Sequence, residues 1–486
     1  MKILIAEFAP DQPSLDSGAT GYVNNVIPVS RLSYGPIGSL TASGNALTDR
    51  CQGAASFRGT VGTIFNTAGD LGNLYSWSGT AWSDVSKAAT TYATAGEDMW
   101  SFVQFGNRVI AVNGTNNPQY WDIGSSSAYD NLAGSPPVAR FANVWRDFTV
   151  LGRLASAKNK VQWSAINDTT GWTVGTNQSD EQELPVGGQV MGLGGGEYGV
   201  VFCESAIYRA VYVGAPIIFQ FDAISLEVGC AAEGSIAQNE QDIYFLSQDG
   251  FRLLQGGQVL QPIGDQKIDR WFWATVNQSY LYRIVSAIDP IAGFYYCAFP
   301  SGNSTDGTPD MMLIFNPTIA RWSLVTVSLN YLFSARTNIG YNTDNIDTLL
   351  GNTDATGVSG DSNLFTGSAR ATLAAFGTDK KMAFFNGSNM EATVDTVEGQ
   401  PFEGQRSVAT FVRGLCDGAE ISVRIGYRNN MSDSVSYTTA SAQNDNGICP
   451  VRLNARYMRG RAVIAAGTNW THFQGLDVAA VPVGWR

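Results

Sequence analysis

The chain has 486 residues, a net charge of −12 and a single histidine, and 15% of its residues are charged against a usual figure of about 25%. The acidic balance argues against nucleic-acid binding by phosphate neutralisation, which needs a basic face, and one histidine rules out a multi-histidine zinc site. A hydrophobic content of 44% excludes a disordered chain, and the length provides for a large core and more than one domain. Arginine outnumbers lysine by about three to one, which favours planar, bidentate contacts at interfaces. The weakly charged, Gly-, Ser- and Asn-rich remainder suits either extensive subunit contact or a turn-rich secreted or viral β protein.

The opening MKILIAEFAPDQP has an apolar run too short for a signal peptide or a membrane span, so neither an export signal nor membrane insertion is expected. Residues 1–54 are rich in Pro and Gly with little strand pattern. They read as an extended arm and docking segment that orders against a partner, and deleting residues 1–30 should leave the downstream propeller folded. Asp11, Pro13, Asn25, Pro28 and Tyr34 are its candidate interface residues.

From about residue 55 onward, apolar runs of strand length alternate with Gly, Asn, Asp and Ser clusters, the signature of an all-β chain. Gln248-Asp249-Gly250 inside DIYFLSQDGFRLL reads as a hairpin turn, and Asn316-Pro317 as another. Trp82, Trp121 and Trp163 are 39 and 42 residues apart, and similar steps land on Tyr208, Phe251 and Tyr295. Such a period suits four-stranded blades, so residues 55–400 are assigned to a β-propeller of five to seven blades, with paired β-sandwiches as the competing fold. Residues 342–363 read as a long polar loop. Residues 401–486 return to strands, with Ile421, Val423, Ile425 and Tyr427 on one face and Arg424 and Arg428 on the other, and form a β-sandwich-like region.

Few motifs suggest chemistry. Six cysteines without a C-x-x-C pair signal no metal or redox site, and Cys203 and Cys297 sit in apolar runs as buried thiols. His472 is the sole base available to a Ser-His-Asp triad, but its aromatic neighbours Trp470 and Phe473 favour a structural role. Gly194-Gly195-Gly196-Glu197-Tyr198-Gly199 fits G-x-G-x-x-G, yet strand-like sequence follows where a dinucleotide site needs a helix. The aspartates of 304–310 lack calcium-loop spacing. Within VQWSAINDTTGW (161–172), Asp168 has the company expected of a glycosidase box but stands four residues after Ser164, and the box does not recur. Asp168 therefore reads as a turn residue between Trp163 and Trp172. No catalytic residue, metal or cofactor is expected.

The arm FAPDQP…NNVIPVSRLSYGP, the phrases QFGNRVIAVNGTNNPQYWD (with Trp121) and FANVWRDFTVLGR…NKVQWSAINDTTGW (with Trp145, Trp163, Asp168 and Trp172), LSQDGFRLLQGGQVLQPIGDQKIDRWF and FNPTIARWS together resemble the tail nozzle, or hub, proteins of short-tailed bacteriophages. These are also called packaged-DNA stabilisation or tail tubular proteins. The resemblance runs through about residue 325. It implies a homohexameric ring in the virion tail, assembled in the host cytoplasm, below the portal and its adaptor ring. Its channel would retain and then conduct double-stranded DNA, and it would dock tail fibres, spikes or a needle. Acidic walls would let DNA slide by like-charge repulsion. The rival function is a glycan-binding or glycan-cleaving propeller of a tail protein, and the family brings no catalytic residues to place.

Overall fold

The computed structural model describes residues 2–13, 15, 17–337, 370–418 and 420–483, so the loop read at 342–363 lies outside the described residues. Among these, seven four-stranded antiparallel sheets follow one another along the chain. Blade 1 is Gly53–Arg58, Ile64–Gly69, Leu74–Trp77 and Trp82–Asp84; blade 2 is Ser101–Phe105, Arg108–Val112, Gln119–Asp122 and Asp130–Asn131. Blade 3 is Ala139–Trp145, Phe148–Leu154, Ala157–Trp163 and Asp180–Glu183; blade 4 is Val190–Gly195, Gly199–Cys203, Ile207–Gly214 and Ile218–Ser225. Blade 5 is Ala237–Asn239, Asp242–Ser247, Gly250–Gln255 and Val259–Pro262; blade 6 is Val285–Ile288, Tyr295–Phe299, Met311–Asn316 and Arg321–Thr326.

Blade 7 takes Leu329–Thr337, Arg370–Gly377 and Lys381–Phe384 from late in the chain and its outermost strand, Thr41–Ala46, from before blade 1. That strand clasps the ring shut, because Leu329–Thr337 also packs on the first strand of blade 1. There the Arg336 amide donates to Ser56 Oγ at 2.9 Å and Asn66 Nδ2 donates to the Arg336 carbonyl at 2.8 Å. Closing the ring covers the faces of blades 7 and 1 that an open array would leave bare, while each blade keeps only a short outer edge.

The aromatic period has a structural cause. Trp121, Trp163, Tyr208 and Phe251 all lie on third strands, in blades 2, 3, 4 and 5. Trp82 lies instead on a fourth strand and Tyr295 on a second. The register fails at blade 6 because the helix Asp269–Thr275 and the 3-10 turn Gln278–Arg283 are inserted before it. The turn readings hold: Ser247 pairs with Gly250, Asn316 with Arg321, and Gly195 with Gly199, so the glycine-rich stretch is a hairpin with a strand on each side. A side chain at Gly199 would meet the Trp145 ring at 2.3 Å, so this glycine lets the indole lie flat on the hairpin.

The rest of the chain builds a sandwich of two sheets. The first runs Cys449–Ala455, Ser407–Cys416, Phe473–Pro482, Ser33–Pro36, Val26–Ser30, with Lys2–Leu4 also on Phe473–Pro482. The second runs Ser436–Tyr437, Ile421–Arg428, Tyr457–Ile464, Ala392–Asp395, Val23–Asn24. Ile421, Val423 and Ile425 are buried between the sheets and Arg424 is exposed, as the alternation demands. The arm does not wait for another protein: its strands complete both sheets of its own chain's sandwich. The reason is pairing geometry, since Phe473–Pro482 and Ala392–Asp395 would otherwise be open edges. Sandwich and propeller also share one core, in which Tyr34, Phe251, Phe272, Trp322, Val412, Ile425 and Leu476 belong to a single buried cluster.

Candidate functional site

Three of the phrases that carry the tail-protein resemblance, FAPDQP…NNVIPVSRLSYGP, LSQDGFRLLQGGQVLQPIGDQKIDRWF and FNPTIARWS, meet at one place, the junction of the arm with the inserted helix and with blade 6. Asp11, from APDQP, accepts hydrogen bonds from the backbone amides of Arg270 (2.8 Å) and Trp271 (2.7 Å), from IDRWF. These are amides of the first helical turn, which lack intrahelical acceptors, so a distant carboxylate caps the helix. Nearby, Lys267 Nζ joins Glu7 Oε1 at 2.6 Å and also donates to the Ala320 carbonyl. Pro13 is exposed just beyond this contact.

Asn25 takes a left-handed φ of +57°, which a short polar side chain tolerates, where the arm passes from one sheet to the other. Its amide donates to the Leu324 carbonyl (2.9 Å), its Oδ1 accepts from the Thr326 amide (3.0 Å), and its Nδ2 donates to the Glu391 carbonyl (2.9 Å). The arm is thereby tied to blade 6 and to the strand that enters the sandwich. Pro28 lies on the edge strand Val26–Ser30, where no donor is missed, and its carbonyl accepts from Asn316 Nδ2 at 2.8 Å. Arg321 donates to the Ser30 and Arg31 carbonyls and lies 5.2 Å over the Tyr34 ring. The Tyr34 hydroxyl accepts from the Phe8 amide (3.1 Å) and faces the Trp322 carbonyl (3.4 Å); burial pushes this phenol up to about 12, against a lowering by Arg321. Asn316 and Arg321 were legible only as turn and strand residues; neither carries a spacing signal that points to the arm.

Asp269, next to the cap, is pushed up to about 7, first by burial and then by the neighbouring Asp11, Asp265 and Asp249; the Phe251 amide opposes this by donating to its Oδ1 at 3.0 Å. Gly250 and Gly264 leave the space its carboxyl fills, since a side chain at either would meet it at about 2 Å.

The remaining sequence candidates are blade residues. Trp121 stacks on Phe65 of blade 1 with ring centroids 4.8 Å apart. Trp145 and Trp163 are buried against Phe219 of blade 4, and their Nε1 groups donate to the Gly194 and Gln178 carbonyls. Asp168 accepts from the Thr170 amide (2.8 Å) and hydroxyl (2.6 Å), and the hydroxyl bond first of all holds its carboxyl below the usual range. Trp172 Nε1 donates to the Thr169 carbonyl at 2.8 Å, closing the same turn. The turn's neighbour is blade 2: Arg108, bidentate to Asp122 at 2.7 Å, also donates to Thr169 Oγ1 at 3.0 Å. His472 Nδ1 is 2.9 Å from Ser33 Oγ, but Asp417 takes the His472 backbone amide (2.6 Å) and not the ring, so the triad's orienting bond is not made. Among the described residues, no group of three His, Cys, Asp or Glu side chains could hold a metal ion, and no helix is long and apolar enough to cross a membrane.

Six blades and the segment that leads into blade 5 line an axial cavity of about 240 Å³, from Ala54 in blade 1 to Tyr331 in blade 7. Arg140, 3% exposed, spans it: Nη2 donates to Glu233 Oε2 at 2.8 Å, Nε lies 3.3 Å from Asp98 Oδ1, and Nη1 donates to the Met99 carbonyl. Arg153 also pairs with Glu233. Two arginines and two carboxylates neutralise each other, which is the condition for keeping charge buried, and they tie blade 3 to the segments before blades 2 and 5.

No family model and no curated protein matches the chain. Among solved structures, it is similar to the computationally designed Ika8 protein (11% identity, 72% of this chain and 100% of that one, TM-score 0.38). It is similar to BBS1N in complex with ARL6DN (9% identity, 73% and 97%, TM-score 0.40) and to BamB from Moraxella catarrhalis (10% identity, 75% and 94%, TM-score 0.36). These likenesses concern the fold alone; the propeller assignment itself stands on the chain's own strand pairing.

Proposed function

We propose that this chain is a structural virion protein, the nozzle of a short-tailed phage tail, acting as a non-enzymatic homohexameric ring. In this reading the ring docks to the portal-adaptor complex and to fibres, spikes or a needle, and it retains and then conducts packaged DNA. The observation that supports it most is the convergence at the arm junction. Asp11 meets Arg270 and Trp271, Pro28 meets Asn316, and Tyr34 meets Arg321, so separate tail-like phrases serve one structural purpose. Residues chosen for catalysis would converge on a cleft, whereas these fix the orientation of the sandwich on the propeller. An axial cavity of about 240 Å³ crossed by Arg140 is too small for a DNA duplex, so the DNA path of this reading runs between subunits.

Electron microscopy of the purified chain, alone and with the adaptor ring of its virion, tests the proposal. Sixfold rings capping the adaptor are expected. A chain that stays monomeric with the adaptor present and releases reducing sugar from host glycans would replace the nozzle by the glycan-cleaving alternative.

A further inference from the structure

We infer that the outer face of the second sandwich sheet holds a phosphate-binding site, made by the guanidinium groups of Arg424, Arg459 and Arg461 beside Tyr437; the inference does not depend on the ring reading above. It starts from register. Across the sheet Asp395 pairs with Arg461, and Arg461 pairs in turn with Arg424, so two cations and one carboxylate share a row. In the next row Arg459 pairs with Gly426, and Gly426 with Tyr437. Like charges directly opposite on neighbouring strands repel, so the Arg424–Arg461 pair calls for an anion between them.

Asp395 cannot serve all three arginines. It is 1% exposed and accepts from Arg461 Nε (2.6 Å), Arg461 Nη2 (2.8 Å) and the Tyr437 hydroxyl (3.1 Å). Arg459 Nε stands 3.8 Å from Asp395 Oδ2, too far for a hydrogen bond, and is buried with no acceptor. Arg424 is exposed and has no carboxylate partner among the described residues. Arg461 is held in place by two rings, Tyr22 from the arm at 4.6 Å and Tyr437 at 4.4 Å, and its fork onto Asp395 leaves Nη1 as a donor. Gly426 makes room for this packing, since a side chain there would meet the Tyr437 ring at 2.9 Å and Arg459 at 3.1 Å.

Three cations against one carboxylate leave a surplus of two positive charges (3 − 1). Arg428, farther along the strand of Arg424, does not change it, because Glu398 holds that guanidinium at 2.6 and 2.7 Å. Asp433 turns into its own loop, where it accepts from Asn430. The exposed Glu391 and Glu420 stand four residues along the strands from Asp395 and Arg424, at the other end of the face. A phosphate dianion matches the surplus, and its oxygens suit planar guanidinium donors that are weakly hydrated and partly fixed before binding.

Calorimetric titration of the full chain with inorganic phosphate and with glycerol 3-phosphate tests the site, at low ionic strength and about pH 7.5, where a phosphate monoester is close to dianionic. Saturable binding that weakens with salt is expected. Affinity should fall about tenfold or more in both R424Q and R459Q, and stay unchanged in R413Q, whose arginine lies on the first sheet. Circular dichroism and thermal unfolding of each variant check the fold. Tighter binding of the ester would support the site and assign it to phosphate carried on a larger molecule; tighter binding of the free ion would support it as a site for inorganic phosphate. Absence of saturable binding by either probe, or binding that persists unchanged in R424Q and R459Q, would overturn the inference.

Discussion

Replacing Asn25 with alanine tests the arm junction where its parts are most separable. The side chain makes two hydrogen bonds, from the Thr326 amide and to the Glu391 carbonyl, and the residue is 8% exposed. Removing it orphans one donor and one acceptor, at about 1–3 kcal/mol each and toward the lower end where water can reach. Alanine must also hold φ at +57°, which costs a further ~1 kcal/mol or more. The sum is about 3–4 kcal/mol for Asn25→Ala. Asn25→Gly loses the same bonds without the backbone strain and should cost about 1 kcal/mol less. Denaturant unfolding gives the totals, and amide hydrogen exchange locates them: the loss should appear in Val23–Asn24, Ala392–Asp395 and Arg321–Thr326 before the far blades. An alanine variant within 0.5 kcal/mol of wild type (roughly the surface-substitution range), or a glycine variant less stable than the alanine one, would refute the reasoning.

Asp269 makes stability depend on pH with an unusual sign. Its folded value is raised from 3.8 to about 7, so the folded state holds the proton that the unfolded state gives up, and stability falls as pH rises through that window. Because the carboxyl is only partly buried, the expected loss is about 1–2 kcal/mol, and Asp269→Asn should flatten the slope of the unfolding midpoint between about pH 4 and 7. Gly199→Ala should destabilise blade 4 by about 2 kcal/mol or more through the Trp145 contact, seen as quenched or shifted tryptophan fluorescence at a lower midpoint. Glu233→Gln, which leaves Arg140 and Arg153 short of a counter-charge, should cost about 3 kcal/mol in denaturant unfolding. Asp168→Ala should lose only the turn, about 1 kcal/mol by thermal unfolding.

The blades were legible because hairpins are local: Asp249-Gly250 and Asn316-Pro317 announce their turns, and the third-strand aromatics Trp121, Trp163, Tyr208 and Phe251 recur at blade spacing. What could not be read is what is distant in sequence. Thr41–Ala46 has no apolar alternation, because five of its six residues are exposed on the outer edge of blade 7, and only pairing with Lys381–Phe384 makes it a strand. The arm read as unpaired for the same reason. Its two- to five-residue strands are too short to show a period, and the partners of Lys2–Leu4 and Val23–Asn24 lie more than 350 residues away. At the junction, Asp11 looked like an interface residue because the capped helix is 260 positions distant. The axial charges gave no signal: Arg140 and Glu233 are 93 residues apart and each sits in an ordinary strand or turn phrase.

The two long-range pairings constrain how the chain reaches this state. The arm needs Phe473–Pro482 and Ala392–Asp395, and the ring needs Thr41–Ala46 against Lys381–Phe384, so the first 46 residues have no complete partner until almost the whole chain exists. Contacts of such separation carry loop-closure entropy that local blades do not, so blades 1 to 6 can form from their own hairpins while the clasp and the sandwich close last. A deletion of residues 1–30 removes Lys2–Leu4, Val23–Asn24 and Val26–Ser30, stripping strands from both sandwich sheets together with the Asp11 cap, yet leaves Thr41–Ala46 to shut the ring. The truncated chain should therefore keep a protected propeller and lose protection throughout residues 392–483 in hydrogen exchange. Equal protection of that region with and without the arm would show that the sandwich folds on its late strands alone, and the arm would then be free to serve another chain.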